Sequence, residues 1–191
     1  MYKFFAFLDR MKYIKRWSLM RSTREETIME HTQQVTVLSH ALALIKNKMF
    51  GGNLNIEKVL LYATYHETGE VITGDLPTPI KYFNPEILNA YKSLESMAET
   101  RLLEMLPNEI KEDMCSAVLH DESSEEYKLV KTADKLSAYI KCIEELKVGN
   151  GEFKKAEKTL FKDLKKIDSP ELNYFMENML PAYKLTLDEL D

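Results

Sequence analysis

Thr27-Ile28-Met29-Glu30-His31-Thr32-Gln33-Gln34-Val35-Thr36-Val37-Leu38-Ser39-His40-Ala41-Leu42-Ala43-Leu44-Ile45-Lys46-Asn47-Lys48-Met49 decides the fold class. Thr27 with Glu30 three residues on makes a capping box, each side chain accepting from the other's backbone N–H. Behind it His31, Val35, Leu38, Leu42 and Ile45 recur at three- and four-residue intervals, the apolar face of an amphipathic helix. Gly51-Gly52 is a stop signal, so a helix is expected from about Ile28 to Met49.

The same period extends outward in both directions. Phe4, Phe5, Phe7, Leu8 and Met11 predict a short first helix, and Lys15-Arg16-Trp17-Ser18 breaks it. Asn55 can cap a third helix carrying Val59, Leu60, Tyr62 and Ala63 into His66. Gly74-Asp75-Leu76-Pro77-Thr78-Pro79 reads as a loop. Asn84-Pro85 opens a helix with proline at its first position, and Pro107 ends it. Further helices are expected at about Asn108–Leu119, Glu125–Val148 and Glu152–Ile167, and after the Ser169-Pro170 cap to near Pro181. No β-alternation, repeat or low-complexity stretch interrupts this pattern. The class is all-α, a single irregular helical bundle spanning residues 1–191 as one domain.

Of the 191 residues, 45% are apolar and 30% charged, enough to bury a core without staples. The net charge of −5 and the scattered lysines exclude the basic stripe of a nucleic-acid surface. Cys115 and Cys142 read as reduced core thiols of a cytoplasmic protein rather than a disulfide framework. Asp9 and Arg10 interrupt the apolar N-terminus, which lacks a small-residue cleavage site, so no signal peptide is expected. No apolar run reaches about 18 residues, and no membrane span is expected.

The chemistry gathers on three helices. His31 starts the second helix on its apolar face, and His40, nine residues on, points about half a turn away. His66 and Glu70 are four apart, expected as neighbours on one helix face, with Glu67 directly after His66. Asp134 lies among Val130, Ala133 and Ala138, where a carboxylate is costly to bury unless paired or bound to a cation. Helical bundles build metal sites from such inward-facing ligands. A mixed histidine and carboxylate set suits Mn, Fe, Co, Ni or Zn better than Mg or Ca.

These residues, in this order, resemble the HD-domain phosphohydrolases. Arg16-Trp17-Ser18-Leu19-Met20-Arg21, Glu30-His31, Tyr65-His66-Glu67-Thr68-Gly69-Glu70-Val71, Thr73-Gly74-Asp75-Leu76-Pro77-Thr78-Pro79-Ile80-Lys81-Tyr82-Phe83-Asn84 and Lys131-Thr132-Ala133-Asp134 are similar to one branch, the bacterial 5′-deoxynucleotidases. The resemblance covers essentially the whole chain. It implies one divalent transition metal (Co, Mn, Fe, Ni or Zn) on His31, His66, Glu67 and Asp134, with Glu70 as the acid beside the attacking water. It implies that Arg16 and Trp17 meet phosphate and sugar, that Asp75, Leu76, Pro77 and Thr78 hold the nucleoside, and that His31 and Asp134 also border the substrate. The implied reaction is hydrolysis of 2′-deoxynucleoside 5′-monophosphates by a homodimer.

One position departs from that family: Glu67 stands where it has aspartate. The longer arm leaves open a shifted backbone that keeps the metal, a weakened site, or a nucleotide-binding protein without turnover; another nucleotide phosphohydrolase of the HD type is the remaining alternative. A literal His-Asp pair occurs at His120-Asp121, at a helix end followed by Glu122-Ser123-Ser124 and without the flanking signature.

Overall fold

The computed structural model describes residues 1–191, and its order is helical throughout. The α-helices are α1 (Phe4–Leu8), α2 (Ile28–Met49), α3 (Ile56–Tyr65), α4 (Glu70–Thr73), α5 (Thr78–Lys81), α6 (Pro85–Leu103), α7 (Asn108–Val118), α8 (Glu125–Lys147), α9 (Lys154–Leu164) and α10 (Pro170–Asn178). The only β feature is an isolated antiparallel bridge between Lys15 and Thr27.

Caps set the helix starts. At α2 the Glu30 N–H donates to Thr27 Oγ1 at 3.3 Å, and the Thr27 N–H donates to Glu30 Oε2 at 2.8 Å, the reciprocal pair of a capping box. The Lys58, Ile87 and Leu172 N–H groups donate to Asn55 Oδ1, Asn84 Oδ1 and Ser169 Oγ at the starts of α3, α6 and α10. Each satisfies a donor that the first helical turn leaves without a partner.

Several segments differ from the sequence reading. The first helix keeps α geometry only to Leu8 and tightens to a 3₁₀ turn over Asp9–Tyr13. The expected 74–79 loop is extended only to Pro77; Thr78–Lys81 closes one helical turn. Pro79 is tolerated there because its missing N–H falls among first-turn donors that have no intrahelical partner. The segment after Gly151 starts as 3₁₀, α9 stops at Leu164, and Pro181 lies in a 3₁₀ turn over Leu180–Lys184 beyond α10.

The residues form two compact units, Met1–Gln33 with Thr64–Asp121, and Gln34–Ala63 with Glu122–Asp191. Phe4, Leu102, Leu103, Leu106 and Val118 make the core of the first, with Tyr65 and Val71 packed against it. The second is centred on Val35, Leu38 and Leu42 of α2, Val59 and Tyr62 of α3, and Val130, Ala133, Leu136 and Ile140 of α8. Burying each of these Val, Leu and Ile side chains contributes roughly 1.5–3 kcal/mol. The second unit also buries an ion pair: Lys141 Nζ donates to Glu145 Oε1 at 2.6 Å, while Asn150 Nδ2 donates to Glu145 Oε2 at 2.8 Å. These bonds tie the end of α8 to the turn that follows it. Cys142 is buried, Cys115 is half-buried, and both are free thiols. No helix is long and apolar enough to cross a membrane.

Candidate active site

His31 stands in the first turn of α2 and is fully buried. His66 and Glu67 do not continue α3. The helix stops at Tyr65, and a turn over residues 66–69 precedes α4, so His66 and Glu70 are not neighbours on one helix face as the spacing suggested. The cause is local: Thr68 Oγ1 donates to the Tyr65 carbonyl at 2.7 Å, a bond that competes with helical pairing. Gly69 allows the turn to approach α6 closely. A Cβ there would lie 3.2 Å from the Glu95 carbonyl oxygen.

That turn brings His66 and Glu67 to His31. The two imidazole rings lie 5.4 Å apart, centroid to centroid. Glu67 Oε1 is 3.3 Å from His66 Nε2 and 3.7 Å from His31 Nε2. One ligand atom from each of the three residues falls within 4.8 Å of the others. The longer arm of Glu67 thus reaches both nitrogens. Ligands held about 2.0–2.2 Å from one ion sit at spacings of this order, and two imidazoles with a carboxylate fit a divalent transition metal. Asp134 stands on α8, in the second unit, with its side chain 22% exposed and Lys131 Nζ 3.0 Å from Oδ2.

Two more carboxyl groups crowd Glu67. Glu70, the first residue of α4, is buried, and its carboxyl is pushed up to about 10, first by burial and then by the Glu67 and Asp75 charges. Burial also raises Asp75, more than Arg16 and the Trp17 backbone N–H lower it. Such buried, mutually repelling carboxyls are a setting that a cation relieves. Lys81 of α5 provides partial compensation: it donates to Glu95 at 3.1 Å and lies 4.7 Å above the Tyr91 ring. Tyr91 in turn donates to the Gly74 carbonyl at 2.8 Å. Gly74, at φ +74°, takes the left-handed turn that starts the Asp75–Thr78 segment. Asp75, Leu76 and Pro77 are half-buried, and Thr78 is exposed.

Arg16 and Trp17 precede α2 in the chain. Arg16 Nη1 donates to Glu26 Oε2 at 2.9 Å and to His31 Nδ1 at 2.8 Å. Arginine has no acceptor, so His31 Nδ1 accepts that bond here; for Nε2 to take an ion, the ring proton would move to Nδ1 and the Arg16 bond would be given up. Trp17 Nε1 donates to the same Glu26 oxygen at 3.0 Å. Glu26 was not a candidate in the sequence. Its one local signal is an acid just before the Thr27 cap, a property shared with Glu25. Lys81 falls within a motif stretch, but its spacing assigned it no role. His40 is exposed, and His120-Asp121 lies past the end of α7, outside the metal-competent group.

Comparison with known proteins places this arrangement. Residues 3–183 match the family model described as 5′-deoxynucleotidase YfbR-like. A 5′-deoxynucleotidase of Vibrio cholerae serotype O1 is 52% identical over 188 residues, which cover 98% of this chain and 97% of that protein. A 5′-deoxynucleotidase of Yersinia pestis is 53% identical over 188 residues, with 98% and 95% covered. Among solved structures, an HD-domain phosphohydrolase of Listeria innocua superposes with a TM-score of 0.83 at 19% identity, over 95% of this chain and 88% of that one. The cyanophage S-2L HD phosphohydrolase superposes with a TM-score of 0.65 at 21% identity, over 92% and 95%. At such identities the structures establish the shared fold, whereas the sequence matches reach further: this chain belongs to the 5′-deoxynucleotidase YfbR-like family.

Proposed function

We propose that this chain hydrolyses 2′-deoxynucleoside 5′-monophosphates to deoxynucleoside and phosphate, as a cytoplasmic homodimer using one divalent transition metal. The observation that carries the proposal is the convergence of His31, His66 and Glu67 ligand atoms beside the buried Glu70 carboxyl and the Arg16 guanidinium. The relatives' description as 5′-deoxynucleotidases supports the substrate class. The cyanophage protein, solved with dA and one catalytic Zn²⁺, supports the pairing of a deoxynucleoside with a metal.

In this reading His31, His66, Glu67 and Asp134 hold the ion. When bound, it supplies Lewis acidity toward a phosphoryl oxygen and a water nucleophile at neutral pH. With a cation beside it favouring the ionised form, Glu70 would take the proton of the attacking water on its carboxylate, and the departing 5′ oxygen takes up a proton. Arg16 offers its planar guanidinium to the phosphate oxygens and offsets charge in the transition state. Trp17 walls the sugar, so that a 2′-hydroxyl is crowded and left without a partner. Asp75, Leu76, Pro77 and Thr78 line the nucleoside end, with His31 and Asp134 also bordering the substrate.

The test is phosphate release from dNMPs, NMPs and dNTPs, with metal content measured on the same samples. Release from dNMPs, with NMPs slower by on the order of a hundredfold, supports the proposal. Metal-loaded protein that binds dNMPs without releasing phosphate, or prefers dNTPs, sinks it.

A further inference from the structure

Both residues proposed to face the substrate end on one oxygen atom. Glu26 is only 8% exposed. Its Oε2 accepts from Arg16 Nη1 at 2.9 Å and from Trp17 Nε1 at 3.0 Å. Its backbone carbonyl accepts the Arg16 N–H at 2.9 Å, and Ile28 N–H donates to the Ile14 carbonyl at 2.9 Å on the other side of the Lys15–Thr27 bridge. Glu26 therefore faces Arg16 through backbone pairing as well as through its side chain.

Trp17 is held against its own preference. Its φ of 60° lies in the left-handed region, which bulky L residues avoid, and it is the one non-glycine residue there. Strain of this kind persists only where the surroundings over-determine it. Here the restraints are its backbone N–H on Asp75, its carbonyl, which accepts the Met20 N–H at 2.8 Å, and its indole N–H on Glu26. The Glu26 bond acts directly on the ring, and the Arg16 guanidinium that shares Glu26 Oε2 lies 5.8 Å from the ring centroid.

We infer that Glu26 is a positioning residue of the active site, whose Oε2 locks the Arg16 guanidinium and the Trp17 indole into one unit and thereby sets discrimination against 2′-hydroxyl sugars. The inference rests on the functional proposal above. Its physical basis is rigidity: a wall rejects an extra hydroxyl only if it cannot swing aside, and the indole swings once its N–H is released.

Trp17 is the only tryptophan in the chain, so fluorescence reads its ring directly. The metal-loaded wild type, E26A and E26Q are compared by acrylamide quenching of Trp17, and these three together with W17A and the E26A/W17A pair by kcat/KM for matched dNMP and NMP substrates. In E26A, quenching rises, and the deoxy/ribo ratio falls about tenfold, as for loss of one hydrogen bond to a charged group. In the W17A background, adding E26A moves the ratio no further, because both act through the same ring. E26Q keeps an acceptor for the indole but not the charge facing Arg16. There the ratio stays within about threefold while KM for dNMP rises about tenfold; this variant carries the test should E26A lose its fold. An unchanged ratio in folded E26A, a full further drop in the W17A background, or an unchanged KM in E26Q overturns the inference. If the wild type releases no phosphate from any dNMP, the functional proposal fails separately. Quenching then decides alone, and identical curves for wild type and E26A overturn the positioning role.

Discussion

Glu70→Gln should stabilise the metal-free protein while removing its activity. In the chelated protein the Glu70 carboxyl is buried and faces Glu67 and Asp75, so its folded-state value lies well above neutrality. In the unfolded chain it returns to its ordinary 4.5. Between these values the unfolded state has lost the proton and the folded state retains it. Stability therefore falls as pH rises from about 4.5, and each pH unit within the window costs about 1.4 kcal/mol. Integrated from 4.5, the penalty is about 3 kcal/mol at pH 7 and about 5 kcal/mol at pH 8, but below about 1 kcal/mol at pH 5. The size at pH 7 depends on the unfolded value and the pH, not on how far above neutrality the folded value lies. Glutamine has nearly the same shape, donates as the neutral acid does, and carries no such penalty. Urea melts in chelator at pH 5, 7 and 8 should show the Glu70→Gln variant gaining on wild type by these amounts. Saturating divalent metal should narrow or reverse the gap, because the ion favours the ionised carboxylate. Turnover should drop by about 10²–10⁴, the usual range for a lost general base. A variant no more stable than wild type at pH 8, or a gap constant from pH 5 to 8, would refute the reasoning.

Other perturbations address the remaining parts. Glu67→Gln keeps the side chain's shape but removes the anionic oxygen between the two imidazoles, so metal bound per chain should fall at least about tenfold at equal free metal, as when a ligand's chemistry is altered; full occupancy by elemental analysis would count against Glu67 as a ligand. Glu145→Ala removes the carboxylate paired with the buried Lys141 ammonium and should cost about 3–5 kcal/mol, or about 10 °C in melting temperature for a chain this long. Joint replacement of Lys141 by Met and Glu145 by Leu should recover most of that loss, and a single variant within about 1 kcal/mol of wild type by denaturant titration would contradict it. Thr27→Ala removes the side-chain cap of α2 and should cost about 1 kcal/mol, measurable as a shift in urea midpoint at constant m-value.

The helices were legible because their signals are local. Thr27 with Glu30, Asn84 before Pro85, and Ser169 before Pro170 each satisfy N–H groups within three residues, so α2, α6 and α10 start where those residues predict. The apolar face of α2 was equally readable: His31, Val35, Leu38, Leu42 and Ile45 are all buried, while His40 is exposed. Where two local signals competed, the reading slipped. Thr68 and Gly69 opened a turn within an otherwise helical run, and Thr78-Pro79 began a helical turn inside a stretch read as loop.

The sequence by itself determined an all-α chain, the ends of its long helices, and the residue types of its site. Periodicity and capping act over a few neighbours and therefore survive in one dimension. Only the tertiary structure decided that Glu67 reaches both imidazoles, that Glu70 and Asp75 are held against their ionisation, and that Glu26 joins Arg16 to Trp17. Those facts depend on distances between residues remote in the chain and on exclusion of water around them. Burial and Coulomb energy arise from that three-dimensional packing, which no spacing along the sequence encodes.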